Sequence, residues 1–228
     1  MMRERLKALC QELTESQLSS FERYYDLLVD WNTRMNLTAI TEEKEVAEKH
    51  FYDSLAAAFL IPTGARCIDV GTGAGFPGVP LLIMREDITV TLLDGLNKRL
   101  VFLETVLKEL GLSNRARLVH SRAEDGGRDK EHREKYDIVL TRAVAGLPTL
   151  LELTVPFLKV GGSSICYKGE ANQEIAASQN ACKLLGCTLS TVEVPADYGK
   201  RTLVIAKKLS PTAKIYPRKA GTPGRSPL

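Results

Sequence analysis

The chain has 228 residues, 44% hydrophobic and 26% charged, with 17 Gly and 10 Pro; this supplies a core and excludes a disordered, fibrous or collagen-like chain. Thirty-one Lys and Arg against 28 Asp and Glu leave a net charge of +3, too weak a bias to announce nucleic acid by itself. Five Cys without a CxxC, and only His50, His120 and His132, argue against a zinc cage or a disulfide framework, so no metal is expected. The opening MMRERLKALCQEL lacks the apolar core of a signal peptide, and no apolar run approaches the roughly 18 residues of a membrane span. A soluble, reduced, cytoplasmic monomer is expected.

Residues 1–61 read as helical. From Ser16 the stretch carries Leu18, Phe21, Tyr25, Leu28 and Trp31 at steps of three and four, one apolar stripe. A polar connection, Asn32 to Thr38, leads to a second helix. That helix starts at Thr41-Glu42-Glu43, carries Val46, Ala47, Phe51 and Leu55, and stops at Pro62-Thr63-Gly64. After Gly64 short β-branched runs alternate with helical segments. Strands are expected at Cys67–Val70, Thr89–Leu93, Arg117–His120, Asp137–Leu140, Ser164–Tyr167, Leu189–Val194 and Thr202–Ala206. Helices are expected at Gly78–Met84, Asn97–Leu110, Leu147–Leu158 and Asn172–Leu185. This alternation makes right-handed βαβ crossovers and a buried parallel sheet. Only Pro195–Lys200 separates the last two strands, which therefore form an antiparallel hairpin at the sheet edge. The pattern is that of an α/β, class I (Rossmann-like) methyltransferase: seven mostly parallel strands with helices on both faces, plus an N-terminal helical cap. The divisions are 1–61 for the cap, 62–208 for the methyltransferase domain and 209–228 for a basic, Pro-rich tail that forms no regular helix.

The segment Asp69-Val70-Gly71-Thr72-Gly73-Ala74-Gly75-Phe76-Pro77-Gly78 carries the most chemistry. Glycines after a first strand let a ligand approach the backbone, and the next helix offers unpaired N–H groups. Gly73 to Gly78 also satisfy the dinucleotide pattern G-x-G-x-x-G. Asp69 argues against a pyrophosphate there: a carboxylate facing the ligand suits the ammonium and sulfonium charges of S-adenosylmethionine. Asp94, ending the second strand, is placed to accept ribose hydroxyls. Glu124, after the third strand, is a candidate for the adenine amino group, against a solvated loop acid. Arg142 follows the fourth strand, where methyltransferases present the target. No Asp/Asn-Pro-Pro set for an exocyclic amine is found there. A ring nitrogen such as guanine N7 already presents its lone pair, so it needs alignment rather than a general base.

Several strings occur in family order: Trp31-Asn32 with Asn36-Leu37-Thr38, His50-Phe51-Tyr52-Asp53-Ser54-Leu55, the loop Asp69–Pro80, Leu93-Asp94 with Asn97-Lys98-Arg99, Arg142-Ala143-Val144, and Tyr216-Pro217-Arg218-Lys219-Ala220-Gly221-Thr222-Pro223. Together they closely resemble the bacterial small-subunit ribosomal RNA guanine-N7 methyltransferases, the glucose-inhibited division protein B family, over nearly the whole chain. The resemblance implies methylation of guanine N7 in the 530 loop of 16S rRNA with S-adenosylmethionine. It implies cofactor contacts at Gly71, Phe76, Asp94-Gly95-Leu96, Ala123-Glu124 and Arg142; Asp69 and Gly73 join them from the loop reading. Gly95 departs mildly from the Ser or Ala common in the family.

Arg142 is expected to position the guanine or its phosphate, the alternative being an ion pair with an acid such as Glu124. His50 reads as a packing residue rather than a base. Asn36, Lys168, Lys200 and Arg201 are candidate RNA contacts near the crevice, as are Arg218 and Lys219 in the tail. From Lys207 on there are six basic residues and no acid, leaving 25 basic against 28 acidic before it. The +3 is thus an acidic body with a basic tail, and the tail is expected to be an arm that touches RNA, within the 30S subunit or an assembly intermediate. The competing readings are a non-catalytic cofactor- and RNA-binding assembly factor and, third, an NAD-dependent oxidoreductase.

Overall fold

A computed structural model describes residues 1–196 and 199–228; part of the Pro195–Lys200 connection therefore lies outside the described residues. The cap begins with α1 (Met2–Leu9) and α2 (Glu15–Asn32). A reciprocal capping box starts α2: Gln17 N donates to Thr14 Oγ1, and Thr14 N donates to the Gln17 side chain. The Gln17 amide also donates to the Ile83 and Met84 carbonyls, both at 3.1 Å, joining the cap to the body. The buried stripe of α2 runs through Leu18, Phe21, Tyr24, Leu27 and Leu28. Tyr24, not Tyr25, is the buried tyrosine; Tyr25 lies half-buried and donates to the Thr41 carbonyl.

The second cap helix is more irregular than the sequence suggests. Glu42 caps α3 (Glu43–Glu45), and a π-helical stretch, Val46–Tyr52, then leads into α4 (Asp53–Leu55). The wider π turn changes which side chains face inward: His50, Phe51 and Asp53 are all buried.

The body holds β1 (Arg66–Val70), α5 (Gly78–Met84), β2 (Thr89–Asp94), α6 (Asn97–Glu109), β3 (Ala116–His120), α7 (Ala123–Gly126), β4 (Tyr136–Arg142), α8 (Leu147–Thr154), β5 (Leu158–Lys168), α9 (Asn172–Ala177), α10 (Gln179–Leu185), β6 (Cys187–Val194) and β7 (Arg201–Lys208). The seven strands lie in the order β3-β2-β1-β4-β5-β7-β6. The first five are parallel, while β7 is antiparallel to β5 and to β6. The expected hairpin is present, with β7 inserted between β5 and the edge strand β6. Strand order reverses between β1 and β4, which opens a crevice at their C-terminal ends.

Three expectations change. The helix expected to reach Leu158 ends at Thr154, because Pro156 forces a 3₁₀ turn and β5 starts at Leu158. The helix expected over Asn172–Leu185 breaks at Ser178, whose hydroxyl donates to the Glu174 carbonyl. The tail is a docked strap containing a one-turn helix, α11 (Thr222–Arg225), with Pro217 and Pro223 buried. Among the described residues, no helix is long and apolar enough to cross a membrane.

Candidate active site

The turn after β1 is held from three sides. Asp69 is fully buried, and its Oδ2 accepts from Thr72 Oγ1 at 2.7 Å and Gly78 N at 2.9 Å. It braces the glycine loop from beneath instead of facing the ligand, which corrects the sequence reading. Its Oδ1 has no partner, and burial raises the carboxyl to about 6. From above, the Tyr24 hydroxyl donates to the Ala74 carbonyl. From the side, Asp94 accepts Gly73 N at 2.9 Å and Leu96 N at 2.8 Å, with Arg99 at 3.3 Å.

This arrangement fits S-adenosylmethionine. Gly71 and Gly73 take φ of +74° and +62°, a region that L side chains rarely adopt. A Cβ on Gly73 would meet nothing nearer than the Gly71 carbonyl at 4.0 Å, so the loop leaves open space beside its backbone. The Asp94 carboxylate carries about four lone-pair sites and spends three, leaving one for a hydroxyl. Gly95 and Leu96 are exposed beside it, and Ala123 and Glu124 open α7 at the end of β3. The Glu124 side chain is already committed, since its Oε1 accepts Gly221 N of the strap at 2.8 Å. It is neither a solvated loop acid nor a partner for Arg142.

Arg142 instead turns toward the cap. Its guanidinium donates to the Lys49 carbonyl at 2.8 Å and to Asp53 Oδ2 at 3.0 Å, and lies 5.0 Å above the Phe76 ring. It also donates to His50 Nδ1 at 3.2 Å. A guanidinium has only donors, so Nδ1 must be unprotonated and Nε2 carries the hydrogen that goes to Thr38 Oγ1 at 2.7 Å. Burial, aided by Arg142, pushes His50 down to about 4, keeping the ring neutral where it stacks 4.5 Å from Phe76. The next residue, Ala143, holds a φ of +55° in the wall of the same cleft, a strained conformation.

A cleft of about 410 Å³ opens between cap and sheet, lined by Lys49, His50, Asp53, Arg142, Lys168 and Arg201 among others. That volume lies in the range of ligand pockets. Asp53 ties two of its cations together, with Arg142 on Oδ2 and Arg201 Nε on Oδ1 at 2.9 Å. Lys168 reaches Glu174 at 2.7 Å and the Ala145 carbonyl at 2.8 Å. Lys200 pairs with Glu170 near the surface, and Asn36 lies exposed on the cap loop.

The tail does not gather here. Arg218 makes a two-pronged pair with Glu152 of α8, which is wholly buried and also accepts the Arg218 backbone N–H. Arg128 and Arg133 donate to the Pro217 and Tyr216 carbonyls, both at 2.7 Å, and Thr149 to the Pro223 carbonyl. Of the tail candidates, Lys219 alone is exposed.

Sequence reasoning names Thr38 and Asp53 only within longer strings and gives no role to them or to Lys49. Asp53 left one signal: an acid among the otherwise apolar Phe51, Leu55 and Ala56–Ala58.

The fold and site define a class I, S-adenosylmethionine-dependent type of methyltransferase. Solved structures share the fold: a SAM-dependent O-methyltransferase from Thermotoga maritima (TM-score 0.54, 17% identity, 82% of this chain and 72% of that one) and M. jannaschii TYW2 in complex with AdoMet (TM-score 0.54, 19% identity, 68% and 73%). Residues 17–204 match the family model for rRNA small subunit methyltransferase G, also called GidB. A "Ribosomal RNA small subunit methyltransferase G" from Desulforamulus reducens is 49% identical over 95% of this chain and 92% of its own. Another, from Halalkalibacterium halodurans, is 47% identical over 99% and 97%. The chain belongs to the rRNA small subunit methyltransferase G family.

Proposed function

We propose that this protein transfers a methyl group from S-adenosylmethionine to N7 of a guanine in the 530 loop of 16S rRNA, in the 30S subunit or an assembly intermediate. The bound cofactor supplies an electrophilic methyl on a sulfonium centre. The residues that would hold it are Gly71, Gly73 and Phe76 of the loop, Asp94 through Leu96, and the start of α7 at Ala123-Glu124. Asp69 acts on it indirectly, by fixing the loop.

The observation that carries the reading is the proton inventory of the cleft. His50 is neutral with both ring nitrogens engaged, Asp53 is held by two guanidiniums, and Lys168 is paired. None of these groups is disposed to take a proton from a substrate. That suits a target whose lone pair already lies in the ring plane, as at guanine N7, and suits poorly a hydroxyl or an exocyclic amine. Catalysis then rests on alignment and charge placement. Arg142, fixed by Asp53, His50 and the Lys49 carbonyl, positions the target nucleotide, and Lys168 and Arg201 receive its phosphates. An RNA base reaches such a cleft by leaving its stack.

The test is transfer of labelled methyl from S-adenosylmethionine to 30S subunits that lack the modification, and to naked 16S rRNA. One mole of 7-methylguanosine per mole of particle is expected. Binding of cofactor and particle without incorporation would instead mean a non-catalytic assembly factor.

A further inference from the structure

Asn32 and Thr38 lie in a cap loop outside the cofactor site, yet a series of hydrogen bonds carries them to Arg142. Asn32 closes α2, and its Oδ1 accepts both Leu37 N at 2.8 Å and Thr38 N at 3.0 Å. One side chain thus holds two backbone N–H groups of the loop that leaves the helix. Thr38 Oγ1 accepts Ile40 N at 3.0 Å and meets His50 Nε2 at 2.7 Å. At the other ring nitrogen, His50 Nδ1 accepts from Arg142 Nη2 at 3.2 Å. A single buried imidazole therefore joins the cap loop to the cleft.

Each contact in the series removes a different freedom. Stacking 4.5 Å from Phe76 fixes the plane of the His50 ring, and Thr38 fixes its rotation within that plane. Arg142 lies over the same Phe76 ring, and its Nη1 donates to the Lys49 carbonyl and to Asp53 Oδ2. A guanidinium anchored at Nη1 alone can still swing about that atom. A second anchor at Nη2 sets the direction of its other hydrogens, since the five donors are rigidly linked in one plane. Only a neutral ring can supply that anchor, because an imidazolium would present a donor and a positive charge to a cation. Burial and Arg142 itself keep His50 neutral.

We propose that Asn32, Thr38 and His50 are positioning residues for the methyl transfer: the cap loop holds His50, and His50 aims the Arg142 guanidinium at the target nucleotide. This rests on the reading of Arg142 as the cation that places that nucleotide. Transfer to a ring nitrogen moves no proton off the target, so alignment is where such a relay acts, and a misplacement of about 1 Å costs about 10²-fold in rate. The cap is then part of the machinery that presents the target, and the loop after α2 has a task besides connecting two helices.

The test is a double-mutant cycle, read as single-turnover methyl transfer to 30S subunits that lack the modification, with cofactor and particle saturating. Thr38→Val keeps the side-chain shape and removes the hydroxyl; it is expected to slow transfer about tenfold, and Thr38→Ser to restore most of the rate. In an Arg142→Ala background Thr38→Val is expected to change the rate by about twofold at most, because the group it aims is gone. The thermal shift with S-adenosylhomocysteine should match that of the wild-type protein. His50→Gln, whose amide can accept from Arg142 and donate to Thr38, should be faster than His50→Leu, which can do neither; this pair decides the matter if Thr38→Val does not fold. Equal slowing by Thr38→Val or His50→Leu with and without Arg142, or no slowing at all, would make these residues parts of the fold only and overturn the proposal. Full activity of Arg142→Ala would instead strike the reading of Arg142 on which the relay rests.

Discussion

The cleft beside Arg142 and the C-terminal strap are both rich in arginine and lysine, yet their cations serve opposite ends. In the strap Arg218 is spent on the buried Glu152 and Arg225 donates within its own turn to the Gly221 carbonyl; Lys208, at the end of β7 just before the strap, sits wholly buried against Glu134. In the cleft Arg142 and Arg201 share one acid, Asp53, and with Lys49 and Lys168 they line an open space. The contrast shows that a charge count along a chain says where positive charge is concentrated but not whether it is available. Availability depends on the partner each cation finds once the chain has folded.

This contrast can be broken by experiment. The largest effect is expected in the strap. Arg218→Ala leaves the Glu152 carboxylate buried and unpaired, which costs about 3–5 kcal/mol and lowers Tm by on the order of 10 °C. The salt dependence of 30S binding should not change. If Arg218→Ala melts like the wild-type protein but binds 30S weakly with a shallower salt slope, the strap is an RNA arm after all. Truncation after Leu209 should likewise lose stability and, through the Glu124–Gly221 bond, cofactor affinity. A selective loss of RNA binding would contradict that.

In the cleft, Arg142→Ala is expected to slow methyl transfer to 30S about 10²–10³-fold, as for loss of a preorganised charge at a reacting centre, with Tm falling less than in Arg218→Ala. Full activity would remove Arg142 from the site. The His50 ring gives a pH signature. Its pKa is about 4 when folded and near 6.5 when unfolded. As pH falls from 6.5 toward 4 the unfolded chain therefore binds a proton that the folded chain refuses, and stability drops by up to ~3 kcal/mol. Asp69, raised to about 6, works in the opposite sense: its folded form takes the proton first, so acid relieves its cost. His50→Gln should abolish the first term, so the gap between the wild-type and variant Tm curves narrows as pH drops from 6.5 to 4. A constant gap would mean that His50 titrates normally. The smallest effect belongs to Lys168→Ala, expected to weaken 30S binding severalfold and reduce its salt slope by about one.

Much of this arrangement was legible before folding. The strand positions, the edge hairpin and the glycine turn follow from β-branched runs, Gly and Pro, whose effects are local. Helix Gly78–Met84 agrees to the residue with the sequence reading. The places of Asp94 and Arg142, at the ends of β2 and β4, were legible from the strand pattern. What stayed hidden depends on contacts distant in sequence. Asp69 and Glu124 lie at the expected strand ends, but Gly78 N turns the first inward and Gly221 N engages the second across 97 positions. Arg218 seemed free because Glu152 lies 66 residues away in a helix that reads as apolar. Asp53 has no legible role in the sequence, since the π turn that leads into it leaves no periodic mark there.

The central claim is methylation at one guanine N7, and reverse-transcription mapping of 7-methylguanosine in 16S rRNA from a strain lacking this gene tests it most directly. The account predicts loss of a single site in the 530 loop, restored by the wild-type protein and not by Arg142→Ala; an unchanged methylation pattern in the deletion strain would contradict it.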